Sequence, residues 1–272
     1  MTGTTNRAGA DGALLRGPES TLSAALAELD DGCGVLVTGD VPDDAYRAAA
    51  SRYFGVPDRD RRRVLALTRD PADAAGWLPD GVAPGDDGVA VRRLPGAVRE
   101  PTAAADASAP EPDGQTDTGL PGDGEPGGRT SPARLDLDGD GESPEAAAAD
   151  ARSTLSGAID AVADGEAGGR LRLRVGVYRI DTLCAALGEE RARPLLRDVA
   201  ETTRERGGMA HFHLPRPAEG DPRSDPVVGA VADALGDALD AIVELRTRER
   251  SSVPEERWHI LEWGRTDWNS LR

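Results

Sequence analysis

Two histidines one residue apart, His211 and His213, are the side chains in this sequence best spaced for metal chemistry. On an extended strand, alternate residues point to one side, and two imidazoles held that way suit one metal ion. Such a site needs a further ligand. His259 is the one remaining histidine, and Asp240 and Glu244 are unsupported as partners, so ligand count favours packed strand histidines and no metal is expected. Asp136-x-Asp138-x-Asp140-Gly141 copies the first half of a calcium-binding loop. The position of the bidentate glutamate holds Ala147 and the surroundings are an acidic linker, so chance similarity is the preferred reading. A third pattern concerns phosphate: Val35-Leu36-Val37-Thr38-Gly39 runs into a predicted helix, the setting of a phosphate-cradling loop. Laying G-x-x-x-x-G-K-[ST] on Gly39 puts Asp44 at the second glycine, Ala45 at the lysine and Tyr46 at the hydroxyl residue, so three of four signature positions fail. Asp40, Asp43 and Asp44 crowd the same place. Two like charges ~4 Å apart near a protein surface repel by about 4 kcal/mol, so these carboxylates are expected to cap the helix rather than admit phosphate.

The failure at the lysine position extends to the whole chain, because all 32 basic side chains are arginine. Schiff-base chemistry and the usual phosphate-binding ammonium are therefore excluded. Against those arginines stand 49 acidic residues, a net charge of -17 and only 3% aromatic residues. A chain so acidic repels itself at low salt, and molar KCl shortens the Debye length to roughly 3 Å. The composition points to a halophile's cytoplasmic protein, with GC-rich coding bias acting in the same direction. Arg59, Arg61, Arg62 and Arg63, and the alternating Arg170, Arg172 and Arg174, are expected to form solvated, ion-paired faces; nucleic acid is disfavoured by the overall charge. Cys33 and Cys184 form no CxxC pair and read as small buried thiols. No leader or membrane-spanning segment is predicted.

Elements that would position these residues follow from apolar runs and their punctuation. Residues 1–12 are expected to be a disordered tail, and residues 100–144, rich in Pro, Gly, Asp, Ala and Thr, a disordered acidic insert. Between them, residues 13–99 form the front part of one α/β domain, and residues 145–272 the back part of the same domain. A helix capped by Ser20 or Thr21 precedes the strand at Val35–Val37; Pro42 opens a helix to Phe54 that Gly55 stops. Strands follow at Val64–Leu67 and Val89–Val91. In the back part a helix over Glu145–Asp164, a strand over Leu171–Val177, a helix over Arg191–Arg206, a strand over Met209–Leu214, a helix from Asp225 to Asp237, and strands over Ala241–Arg246 and Arg257–Trp263 are predicted. Alternation of this kind implies a three-layer αβα sandwich with a mostly parallel sheet and a terminal antiparallel hairpin. Trp258, Trp263 and Trp268 place three of the four tryptophans in the last fifteen residues. Packing anchors are the preferred reading, and a contact surface is the functional alternative.

The strand-loop-helix at Gly39 resembles the first strand of RecA/KaiC-like ATPases. In that resemblance a second apolar strand ends in a metal-binding Asp, and Leu173–Leu183 places Tyr178 at the acid position; Asp181, three residues on, is expected to cap the next helix. Gly207-Gly208-Met209 through Pro215, Asp240 through Arg246, Arg257-Trp258-His259-Ile260 and Asp267-Trp268 are similar to an uncharacterised haloarchaeal family of degenerate RecA/KaiC-like domains. The resemblance covers the front and back parts but not the insert, and carries over no catalytic residues. It implies a non-catalytic pseudo-NTPase without cofactor, regulating or scaffolding a protein partner such as a signalling protein or an intact ATPase of the same fold. Two alternatives remain: a nucleotide binder in which Arg47 replaces the lysine and Asp181 holds metal, and a hydrolase built on His211 and His213.

Overall fold

A computed structural model describes residues 32–57, 61–68, 71–96, 143–163, 173–217, 220–248, 251–261 and 263–271. The predicted first helix, the aspartates of the calcium-like motif, Arg59, Arg170 and Arg172, and the acidic insert apart from its last two residues lie outside them. The described residues of the front and back parts belong to one compact unit.

The strands are β1 (Cys33–Thr38), β2 (Arg63–Leu67), β3 (Val89–Arg93), β4 (Arg174–Tyr178), β5 (Met209–Leu214), β6 (Ala241–Arg246), β7 (Glu255–Ile260), β8 (Gly264–Arg265) and β9 (Asn269–Ser270). The helices are α1 (Asp43–Phe54), α2 (Pro144–Ala163), α3 (Ile180–Leu187), α4 (Glu189–Glu205) and α5 (Pro226–Leu235), with a 3-10 turn over Pro71–Trp77. The sheet runs β3-β2-β4-β5-β1-β6-β7-β8, and β9 pairs with β7. The first six of these strands are mutually parallel, while β7 lies antiparallel on β6.

Parallel strands covered on both faces read as near-continuous apolar runs, and β1 (CGVLVT) is buried throughout. Its alternate residues serve two cores. Leu36 joins the layer formed by α2 to α5, with Val175, Val177, Phe212 and Ile242; Cys33, Val35 and Val37 join the layer under α1, with Leu65, Tyr178, Val243 and Trp258. The second layer holds all three tyrosines, Phe54 and Trp77, so a chain lean in aromatics concentrates them on one face of the sheet.

Caps explain several boundaries. Asp225 accepts from the backbone N–H groups of Val227 and Val228 at 2.9 and 3.0 Å and starts α5 before Pro226. Gly55, at φ +75°, ends α1, and Arg63 finishes the cap. The Arg63 guanidinium is buried and donates to the carbonyls of Phe54, Gly55, Val56 and Arg61. Arg63 is thus no solvated surface cation: its planar donors satisfy the carbonyls beyond the last helical turn. No helix among the described residues is long and apolar enough to cross a membrane.

Candidate functional site

The connections leaving β1 and β5 part in opposite directions. From β1 the chain passes through α1 on the aromatic face to β2, and from β5 through α5 on the other face to β6. In open α/β sheets, ligands bind outside the carboxyl ends of strands where such a switch occurs. Here those ends are Thr38 and Leu214, and the loop Gly39–Pro42 leads from β1 into α1.

That loop is only four residues long, because α1 begins at Asp43. The residues aligned with lysine and hydroxyl, Ala45 and Tyr46, therefore lie in the first helical turn, 3% and 0% exposed, within the core rather than lining a phosphate cradle. Gly39 has φ +148°, and a Cβ there would come within 2.3 Å of the Leu245 carbonyl oxygen, so close approach of β6 requires this glycine. The Tyr46 hydroxyl donates to the Gly39 carbonyl at 2.7 Å, tying the loop to the helix beneath it. Burial, followed by the nearness of Tyr178, Asp181 and Asp40, holds its ionisation far above the ordinary tyrosine range.

Tyr178, at the end of β4, is 1% exposed and its hydroxyl donates to Asp43 Oδ1 at 2.7 Å. The position where the resemblance expects a metal-binding carboxylate thus holds a phenol that bonds to the first turn of α1. Trp77 packs against it with ring centroids 3.9 Å apart, and the Arg47 guanidinium lies 5.6 Å from the Trp77 ring. Arg47 also pairs with Asp44 at 3.6 Å, and Asp44 is exposed at the helix surface.

Asp181 does not cap α3. The cap position is Arg179, the one non-glycine residue with positive φ (61°) among the described residues, and its guanidinium grips Asp181 at 3.1 and 2.7 Å. That fork displaces the carboxylate from the backbone N–H groups it was expected to accept. Thr68 donates to the Tyr178 carbonyl, and Thr182 Oγ1 sits 2.7 Å from Thr68 Oγ1, stitching the ends of β2 and β4 together.

His211 and His213 do project to one side of β5, where they meet each other. Nδ1 of His211 and Nε2 of His213 lie 2.8 Å apart, sharing one hydrogen bond. Both rings are buried, His211 edge-on to Tyr53 and Phe54 and His213 near Tyr46, Tyr178 and Trp77. Room for His211 comes from Gly176 on β4, where a Cβ would meet the imidazole at 2.5 Å. Burial, then His213 and Arg174, push the His211 pKa well below its usual value; burial pushes His213 down to about 3. Two neutral rings sharing a proton do not offer both of those nitrogens to one ion. No group of three or more potential metal ligands occurs among the described residues. His259 sits apart on β7, 3.1 Å from Glu244, which also pairs with Arg257. Burial alone would raise the Glu244 pKa, but hydrogen bonds from His259 and Arg257 bring it below the usual glutamate range. Asp240 takes the Gly34 N–H and pairs with Arg204.

The terminal tryptophans separate. Trp258 is buried edge-on to Tyr53, Trp268 is half-buried with guanidinium carbons of Arg246 and Arg257 at 3.8 and 4.4 Å from its ring, and Trp263 is 47% exposed. Sequence reasoning missed the joint roles of Tyr46, Tyr178 and Trp77. Their scarcity was the available signal, since few aromatics must fill a large space.

No curated protein matches the chain. Among solved structures it is similar to the KaiC-like protein PH0186 from the hyperthermophilic archaeon Pyrococcus horikoshii OT3, with 10% identity and a TM-score of 0.45 over 89% of this chain and 84% of that one. The stretch from residue 32, just before β1, to residue 245 in β6 matches the Family of unknown function (DUF7504), to which this chain belongs.

Proposed function

We propose that this protein is a non-catalytic, pseudo-NTPase-like module that regulates or scaffolds a protein partner in a high-salt cytoplasm. The observation that carries the reading is the inward placement of Ala45 and Tyr46, with the Tyr46 hydroxyl bound to Gly39. A phosphate cradle needs backbone N–H groups and a cation facing the crevice. Here the loop is short, the helix start carries Asp43 and Asp44, and Tyr178 bonds to Asp43. A nucleotide role for Arg47 and Asp181 is opposed by the packing of one near Trp77 and the pairing of the other with Arg179. The absence of lysine completes the picture at the level of composition.

Isothermal titration of ATP and Mg²⁺ into the protein in molar KCl tests this function. No binding heat and no hydrolysis are expected; saturable micromolar binding or turnover would overturn it.

A further inference from the structure

At the far end of α1 from the Gly39–Pro42 loop, about one helix length (~18 Å) away, two adjoining cavities of about 640 and 580 Å³ share Arg52 and Arg61. They differ in chemistry. The first is an apolar shelf of Ala48, Val56, Pro57, Pro79 and Leu271, with Asp80 also in its lining. The second brings Arg174 to the shared arginines over Tyr53, Met209 and Trp258. Its one carboxylate, Glu256, is buried and already receives the Tyr53 hydroxyl at 2.7 Å and Arg52 at 3.5 Å.

The groove therefore gathers three guanidinium groups in a chain whose net charge is -17. Arg52 keeps 47% of its side chain exposed, so it retains surface for a further acceptor. Val56, 56% exposed, is among the few large apolar side chains that the described residues leave in solvent. Exposed apolar surface beside arginine is the composition of a contact surface, and charge complementarity selects what docks there. A simple phosphate would leave the apolar shelf unused.

We propose that this groove docks a protein partner through a segment in which acidic residues flank a bulky apolar side chain. The carboxylates meet Arg52, Arg61 and Arg174, and the apolar anchor lies on the shelf beside Val56 and Pro79. This deepens the reading of the protein as a contact module by giving its partner a chemistry.

Panning a display library of random dodecapeptides on the full chain tests it, at a KCl concentration where circular dichroism shows the native fold. Arg52→Glu and Val56→Asp serve as counter-selections, and Ala48→Glu is a further variant should either lose its fold. Enrichment of peptides pairing Asp or Glu with Leu, Ile, Phe or Met is expected. A synthesised winner should bind with micromolar affinity and weaken by about tenfold or more on each folded variant. Equal retention on wild type and variants, enrichment of basic or purely apolar peptides, or Arg52-dependent binding of tripolyphosphate that displaces the winning peptide would overturn the proposal. ATP binding at the crevice would sink the pseudo-NTPase reading while leaving Arg52-dependent peptides intact, so the two failures are distinguishable.

Discussion

Arg63 shows why the basic residues of this chain are more than a charge count. Its four carbonyl acceptors surround a planar fork, which an ammonium cannot reproduce. Arg63→Lys is expected to cost about 1–3 kcal/mol, measured as a shift in the urea midpoint at fixed KCl; an unchanged midpoint would contradict the capping role. The crevice tyrosines give a graded pair. Tyr46→Phe leaves the buried end of a hydrogen bond to Gly39 unmade and should cost about 1–3 kcal/mol, whereas Tyr178→Phe releases the half-exposed Asp43 to water and should cost closer to 1 kcal/mol. Reversal of that order in denaturant titrations would show that the loop does not depend on the Tyr46 bond. None of these partners was legible from sequence. A guanidinium or phenol chooses its acceptor by tertiary approach, and local spacing cannot encode which carbonyl of a distant turn arrives beside it.

Most elements, by contrast, were written in local pattern. The runs at Met209–Leu214 and Ala241–Arg246 became β5 and β6 with the predicted limits, and Gly55 ended α1 where expected. Buried parallel strands must be apolar on both faces, so their pattern survives without knowledge of their neighbours. Departures occur where an element depends on what lies across from it. The short strands β8 and β9 exist through pairing with β7, and α3 follows a left-handed Arg179 whose side chain holds Asp181. The β1–α1 loop is the element on which the functional reading turns. Gly39→Ala should destabilise the protein by about 2–4 kcal/mol with no nucleotide present, from positive φ and from contact with Leu245. Thermal unfolding that matched the wild type would remove the packing explanation for this glycine.

At the scale of the whole molecule, the paired histidines are expected to couple stability to pH. Their folded pKa values lie below the unfolded value near 6.5, with His213 at about 3. Well above pH ~6.5 both states are neutral and the pair adds no pH dependence; as pH falls through that value toward 3 the unfolded chain takes up protons that the folded core refuses. Stability should fall by up to about 1.4 kcal/mol per pH unit for each histidine, and His213→Gln should remove about one proton from that slope in urea titrations between pH 7.5 and 5. Charge acts at the same scale, since a net -17 repels itself: the melting temperature should rise as KCl goes from tenths molar to molar. A flat salt response would contradict that. The aromatic layer has a further, optical consequence. Each tyrosine ring lies within 6 Å of a tryptophan or histidine ring, and Trp77 lies against Tyr178. Such fixed, asymmetric ring contacts give strong near-ultraviolet circular dichroism, which vanishes when packing loosens. Anything that pried α1 from the sheet would change that signal, so the protein carries an unlabelled gauge of whether α1 stays docked on its aromatic face.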